Sequence, residues 1–419
     1  MKRFSGTLWM MMACIGMMLA SAGADEQVTS ADVVPMEDVV VTSTRTGQSL
    51  LETSSNIGVV TSEDIEAMDA DTLPDVLQKL PGVYVSNSSG LSPHLNLRGT
   101  RVGMSEGALV LLNGIPMSMG KFGYVEWDAV PVENIQRVEV VKGPLSSLYG
   151  GDAARGVINI ITKRSSEKMK GKMSATFGEY DDQRYSALIY GGNQKFDYNL
   201  NVKKKEADSY RDDIGVDNWN YTADLGWCVN DTSRLGFFVN VSDAETYLPK
   251  KMTVDQREED PRQTTDLSFT DVTDVISGLS FKMNQSLWNF DATTYYKNRD
   301  KSYENYLKAT STPYAEKLES DIWGVRSILT YKQPIFRFNN KLSVGFDYDC
   351  DGNEIEKTKA ESKTEGAPYT KPDPKGSGDF TREMLGLFVQ DELSLLDNLT
   401  LTVGLRYDHF QYDNDADYD

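Results

Sequence analysis

The sequence predicts a small α+β domain followed by an antiparallel transmembrane β-barrel. Three observations predict it. From about residue 172, ten-residue segments alternate apolar and polar positions, with aromatics near their ends. The connections between these segments are alternately short and long. After the N-terminal stretch, no segment carries the 18 or more apolar residues of a membrane helix, so a chain crossing a bilayer must do so as a closed sheet.

The N-terminus, "MKRFSGTLWMMMACIGMMLASAGADEQ", has Lys2 and Arg3, an apolar run through Leu19, and the small-residue exit Ala22-Gly23-Ala24. This is the pattern of a secretory signal over residues 1–24, cut after Ala24. The alternative, a membrane anchor, is opposed by Gly16 within the run and by the exit that follows. Cys14 lies too early to be a lipoprotein cysteine. Only Cys228 and Cys350 remain in the mature chain, too few for a disulfide scaffold. With 43 Lys and Arg against 63 Asp and Glu, the net charge of −20 disfavours nucleic acid as a partner.

Residues 25–55 read as a flexible tether interrupted by one β-prone island, "MEDVVVTSTR", around Val39, Val40 and Val41. Two readings stay open: a chance valine triplet, or a strand held out for a partner to pair with.

Residues 56–165 read as one α+β domain. "NIGVVTSEDI" is a strand followed by a helix with Thr61 as its cap. In "DTLPDVLQKLPG", Thr72 caps a helix, Asp75 sits three residues on, and Leu73, Val76, Leu77 and Leu80 share a face. Pro81-Gly82 ends it. "GVYVS", "HLNLRG", "ALVLLNG", "IQRVEVVKG" and "GVINIITKR" follow as strands, and Arg137–Val141 and Val157–Thr162 are expected to pack in one sheet.

Eleven strands are expected beyond this, near 173–179, 184–191, 196–205, 218–229, 234–242, 273–283, 286–297, 321–332, 341–349, 382–392 and 398–408. In "NWNYTADLGWCV", Trp219, Tyr221, Ala223, Leu225 and Trp227 share a face opposite Asn220, Thr222 and Asp224. "RLGFFVNVS", "DIWGVRSILTYK", "KLSVGFDYD" and "LTLTVGLRYD" alternate likewise. A soluble sandwich alternates too. Long, charged links at 206–217, 243–272, 298–320 and 350–381, all at one end, favour the barrel.

With these residues in place, the chain resembles the TonB-dependent outer-membrane receptors. "EDVVVTSTR" is similar to the TonB box. "LPDVLQKLPGVYV", "LNLRGTR", "ALVLLNGIPM" and "RVEVVKGPLSSLYGGDAARGVINIITKR" are similar to the plug, and "FVQDEL" and "LTVGLRYDH" to barrel strands. The resemblance implies a signal peptide at 1–24, a box at about 37–45 within 25–55, a plug at 56–165 and a barrel at 172–419. It implies energised uptake of a scarce ligand, first of all an iron–siderophore complex, with haem, cobalamin or another nutrient as alternatives. Asp38, Val39, Val40, Val41 and Thr42 would meet TonB, itself driven by an inner-membrane complex; outer-membrane lipid would surround the barrel. Arg98 and Lys142 lie at positions where the family pairs plug cations with barrel carboxylates. Plugged transporters have about 22 strands, so eleven are expected to be a partial barrel, from a partial sequence or a truncated gene product.

Other candidates compete with plainer roles. His94, beside "LNLRG", and Phe122, Tyr124 and Trp127 in "KFGYVEWD" are candidate ligand contacts; a loop histidine and aromatics packed on the barrel wall are the alternatives. Asp181, Asp208, Asp212 and Asp213 fall in long connections, where structural Ca²⁺ takes carboxylate oxygens, though no EF-hand spacing is present. Gly143–Gly150 lacks the Gly-Lys-Ser/Thr ending of a phosphate loop. No nucleophile–base or metal constellation supports an enzyme on residues 56–165. A surface adhesin or pore with a vestigial box, or an inactive truncated product, stands as the alternative function.

Overall fold

A computed structural model describes residues 39–45, 47–49, 53, 55–87, 93–97, 108–119, 125–165, 167–249, 252–264, 267–306, 314–336, 338–359, 376–396 and 398–418. The expected signal segment, Asp38, Arg98, Phe122 and Tyr124 lie outside these residues, as does the side chain of His94.

Strand β1 (Val39–Val40) pairs antiparallel with β2 (Gln48–Ser49). Next come β3 (Ile57–Thr61), β4 (Val83–Asn87), β5 (Pro93–Leu97), β6 (Leu109–Leu112), β7 (Ile115–Pro116), β8 (Ile135–Lys142) and β9 (Gly156–Thr162). A five-stranded mixed sheet runs β3-β8-β9-β6-β7, in which only β6 and β9 are parallel; β4 and β5 form a separate hairpin. The two strands expected to share a sheet, at Arg137–Val141 and Val157–Thr162, are neighbours.

Both expected helix caps are present. Asp64 N donates to Thr61 Oγ1 at 3.2 Å, while Thr61 N donates back to the Asp64 carboxylate at 3.0 Å, opening helix Ser62–Met68. Thr72 and Asp75 do the same for Leu73–Leu77. The shared face of the second helix, Leu73, Val76, Leu77 and Leu80, is buried in the main core with Val138, Val140, Ile158 and Ile160. That core also takes Phe238, Ile276, Tyr295 and Ile322 from the large sheet, so the small domain is not closed off from its surroundings.

Gly156 starts β9 with φ +149, a conformation essentially reserved for glycine. A Cβ there would overlap Val141 O and stand 2.7 Å from Leu97 Cδ1. Gly156→Ala is therefore expected to cost about 3 kcal/mol or more of domain stability, checked as lost protease resistance of residues 57–162.

The large sheet has eleven antiparallel strands in sequence order: β10 (Lys170–Phe177), β11 (Gln183–Gly192), β12 (Phe196–Asp208), β13 (Gly215–Asn230), β14 (Ser233–Pro249), β15 (Leu267–Asn284), β16 (Trp288–Tyr306), β17 (Tyr314–Lys332), β18 (Asn339–Lys359), β19 (Gly376–Leu396) and β20 (Leu399–Tyr418). β10 and β20 are its edges, so the sheet is open. Its concave face buries polar side chains, among them Asn199, Asn220, Asp224, Asn240, Arg299, Asp347 and Asp349. Its convex face exposes Trp219, Trp227, Phe237, Leu279, Trp323, Val344, Val403 and Leu405. Apolar outside and polar inside is the inverse of a soluble sandwich and fits a lipid-facing wall.

The strands run longer than expected. β18 has 21 residues where nine were expected, against the roughly 9–11 that cross a bilayer. The register continues through Asp351↔Arg382 and Glu354↔Asp379 into the expected loop. Alternation reports contact with lipid, whereas backbone pairing continues after the outer face turns polar.

Candidate functional site

The seam between the small domain and the concave wall carries the functional geometry. It has two ends: β11–β12, β13–β14, β15–β16, β17–β18 and β19–β20 are joined at one, and the longest connections, β14–β15, β16–β17 and β18–β19, lie at the other.

Toward the short-turn end, the valine island is docked. Val40 and Thr42 are fully buried. Glu139, itself fully buried in β8, accepts hydrogen bonds from Val41 N at 3.0 Å, Thr42 N at 2.9 Å and Thr42 Oγ1 at 2.6 Å. Its other oxygen accepts from Arg137 Nε at 2.8 Å. The amides that an added strand would use are thus already taken. Residues 39–45, expected within a flexible tether, are instead held by a carboxylate about a hundred residues away, which leaves no local trace in sequence. Tyr149 Oη donates to Thr42 O at 2.9 Å. Burial pushes the Tyr149 phenol above its usual range, so it stays protonated and a donor.

Arg45 extends the dock to the wall. It forks onto Asp347 of β18 at 2.8 and 3.0 Å and lies over the rings of Tyr149 and Phe388, 4.4 and 4.9 Å from their centroids. Asp347 is fully buried and also meets Arg326 of β17 at 3.2 Å and Arg406 of β20 at 2.7 Å. Asp349 and Asp408 take the remaining charge of those two arginines, at 2.6 and 2.8 Å. Arg406 Nη1 donates to Leu148 O at 3.0 Å. Phe388 lies over Gly345, where a Cβ would overlap its ring.

Around β10–β16 the seam has the opposite sense. Carboxylates of the small domain meet cations of the wall: Glu66 with Lys172 at 2.8 Å, Asp71 with Arg184, Glu133 with Lys203 at 3.1 Å and Asp128 with Lys205 at 3.5 Å. Lys172 holds the Glu66 carboxyl below its ordinary range. Wall amides grip backbone carbonyls: Asn199 donates to Lys163 O, Asn218 to Asp128 O and Asn240 to Ala129 O. The expected sense, domain cations to wall carboxylates, holds for Arg45 and for Arg164, which forks onto Asp224 at 2.7 and 2.9 Å. Lys142 lies along its own domain, with Nζ 3.5 Å from where a Cβ on Gly58 would stand.

Toward the long-connection end, the turn Trp127–Ala129 presses on β13–β15. Trp127, a candidate ligand contact with packing on the wall as its alternative, is 5% exposed and belongs to the core cluster that holds Val125, Ala129 and Val130 together with Phe238 and Ile276 of the wall. The 3₁₀ turn folds its ring inward. The cavity beside it, about 60 Å³ and roomy enough for water, is lined by Glu126, Trp127, Asp128, Asn218, Ser242 and Asp274. His94 sits in β5 opposite Ser86. The calcium candidates are not gathered: among the described residues no three His, Cys, Asp or Glu form a cation site, and Asp212 is taken by Arg262 at 3.1 Å.

Glu139, Arg137, Tyr149, Arg45, Asp347, Arg326 and Arg406 were not singled out by sequence reasoning. Arg137 and Glu139 carried a usable signal: charges inside the apolar strand "RVEVV", where an unpaired charge is costly.

Comparison with known proteins agrees with this architecture. Residues 49–157 match the TonB-dependent receptor plug domain, and residues 195–419 match the TonB-dependent receptor-like β-barrel. The vitamin B12 transporter BtuB of Vibrio cholerae is 31% identical over 247 residues, 56% of this chain and 40% of that protein. BtuB of Vibrio vulnificus is 37% identical over 155 residues, 36% of this chain and 25% of that protein. The chain thus spans less than half the length of these relatives. Among solved structures, the ferripyoverdine receptor of Pseudomonas aeruginosa superposes with a TM-score of 0.76 at 16% identity, covering 91% of this chain and 55% of that one. The ferric yersiniabactin receptor FyuA of Yersinia pestis does so at 0.73 and 16%, covering 87% and 58%. Since the barrel match alone takes in more than half of the chain, and the plug match precedes it in order, the chain belongs to the TonB-dependent receptor family.

Proposed function

We propose that the protein takes part in energised uptake of a bulky metal chelate across an outer membrane, with residues 38–42 as the strand that TonB engages. The observation that carries this reading is the docked segment Val39–Arg45. It is β-prone, meets the wall at Asp347, nearer the short-turn end of β18 than the other, and is held by a few polar contacts that a competing strand could replace. A transporter needs such a handle on the side facing its energy source.

The ligand is proposed as a class: a corrinoid or a ferric siderophore. Sequence relatives at 31–37% identity are vitamin B12 transporters. The iron-chelate receptors are alike in fold, at 16% identity. The corrinoid, expected as an alternative to the iron–siderophore complex, is therefore the first ligand to try. Calcium in the long connections and ligand contact by His94, Phe122 and Tyr124 remain proposals of the same reading.

The test deletes residues 38–42 in the gene carrying this chain and measures uptake of radiolabelled cyanocobalamin and of a radiolabelled ferric siderophore. Uptake of one of them is expected to fall to the level of a strain lacking TonB. Uptake undiminished by the deletion would overturn the reading in favour of a passive pore; uptake of neither by the intact gene would favour an adhesin.

A further inference from the structure

The four-residue helix Ser146–Tyr149 touches both the docked segment and the last two strands of the wall. On one side, Arg406 of β20 donates to Leu148 O at 3.0 Å, and a Cβ on Gly404 would stand 3.3 Å from Ser147. Leu148 is buried with Ile328 and Phe388 of β17 and β19. On the other side, Tyr149 donates through its hydroxyl to Thr42 O and lies under the Arg45 guanidinium. The next residue, Gly150, has φ +86, and a Cβ there would meet Arg406 Nη2 at 3.4 Å. The same arginine therefore bears on the helix at Leu148 and Gly150, and on the partner of Arg45 at Asp347.

We infer that Tyr149 is the positioning residue that sets how readily residues 39–45 leave the plug, joining the docked segment to the Arg406 side of the wall. The inference rests on reading that segment as the partner-binding strand. Its chemistry is separable into two parts. The hydroxyl holds the Thr42 carbonyl, fixing the backbone. The ring face holds the Arg45 guanidinium, fixing the side chain that reaches Asp347. Glu139 accepts from three donors of residues 41–42, and Tyr149 donates to the Thr42 carbonyl. Tyr149 thus contacts both Thr42 and Arg45.

The experiment is hydrogen exchange by mass spectrometry on the whole protein in lipid nanodiscs. It compares wild type, Tyr149→Phe, Tyr149→Ala and, as a positive control, Glu139→Gln. Exchange of residues 39–45 reports their local opening equilibrium. Tyr149→Phe removes one buried neutral hydrogen bond and is expected to speed that exchange roughly three- to tenfold. Tyr149→Ala, which also removes the ring beneath Arg45, is expected to exceed it by at least a further factor of about two. Residues 57–61 and 157–162 should exchange at wild-type rates in Tyr149→Phe, which separates positioning of the segment from general support of the plug. Unchanged exchange at 39–45 in Tyr149→Phe overturns the proposal, whether or not Glu139→Gln moves it. Equal acceleration across the plug also overturns it. The uptake assay after deletion of 38–42 reads the other claim: exchange that responds to Tyr149 in a protein whose uptake ignores the deletion would uphold the positioning role and reject the partner.

Discussion

Asp347→Ala is expected to free residues 42–45 while leaving the plug sheet folded. Asp347 is fully buried and faces three guanidinium groups. Its loss is not shared equally. Arg326 keeps Asp349 and Arg406 keeps Asp408, whereas Arg45 has no second carboxylate among the described residues. The cost of an uncompensated buried charge, about 3–5 kcal/mol, therefore falls on the segment able to move away and hydrate. Opening restores water to Arg45, so the destabilisation appears as release and not as global unfolding. Hydrogen exchange of residues 39–45 should rise by about a hundredfold or more, with 57–61 and 157–162 unchanged. Arg45→Ala should mimic it. The double variant should be no worse than Arg45→Ala alone, since both remove one interaction. A fully additive double variant would show that Asp347 acts through its other arginines.

Glu139→Ala is expected to do more damage, over a wider area. The carboxylate satisfies three donors of residues 41–42 and also Arg137, which is 7% exposed. Both Arg137 and Glu139 belong to β8, an interior strand of the plug sheet flanked by β3 and β9. Removing the acid leaves Arg137 charged in the core as well as two backbone amides unmatched, at about 3–5 kcal/mol for the broken pair. Unlike Arg45, Arg137 cannot leave without opening the sheet. Exchange should therefore accelerate at 57–61 and 157–162 together with 39–45. Confinement of the effect to 39–45 would mean that Arg137 finds another acceptor, and the account of Glu139 as a joint support of sheet and segment would fall.

How much of this was legible in sequence follows from what each signal reports. All eleven wall strands were located, because a wall that is lipid-facing on one side and polar on the other forces the period of two, as in Trp219–Trp227 and Leu399–Tyr407. Their outer ends were not, because beyond the apolar band pairs such as Glu354↔Asp379 carry no hydropathic contrast. The caps at Thr61 and Thr72 were legible since both partners lie within three residues. Glu139 and Thr42 are 97 apart and Arg45 and Asp347 are 302 apart, and nothing local marks such pairs. Trp127 looked like a ligand contact because aromatics serve both surfaces and cores, and only the inward turn at 127–129 decides between them.

The contacts of the docked segment are strung along the chain in order: Val40 against β2, then Val41 and Thr42 on Glu139, then Thr42 O on Tyr149, then Arg45 on Asp347. A tension applied at Val39 would meet them one after another, as a seam is unpicked. The peak force would then be governed by the strongest single stitch, the buried fork of Arg45, and the small attachments before it would act as a graded take-up of slack. Beyond Arg45 the load would reach β3 and β8, where the wall's asparagines and cations hold the rest of the plug from the opposite flank.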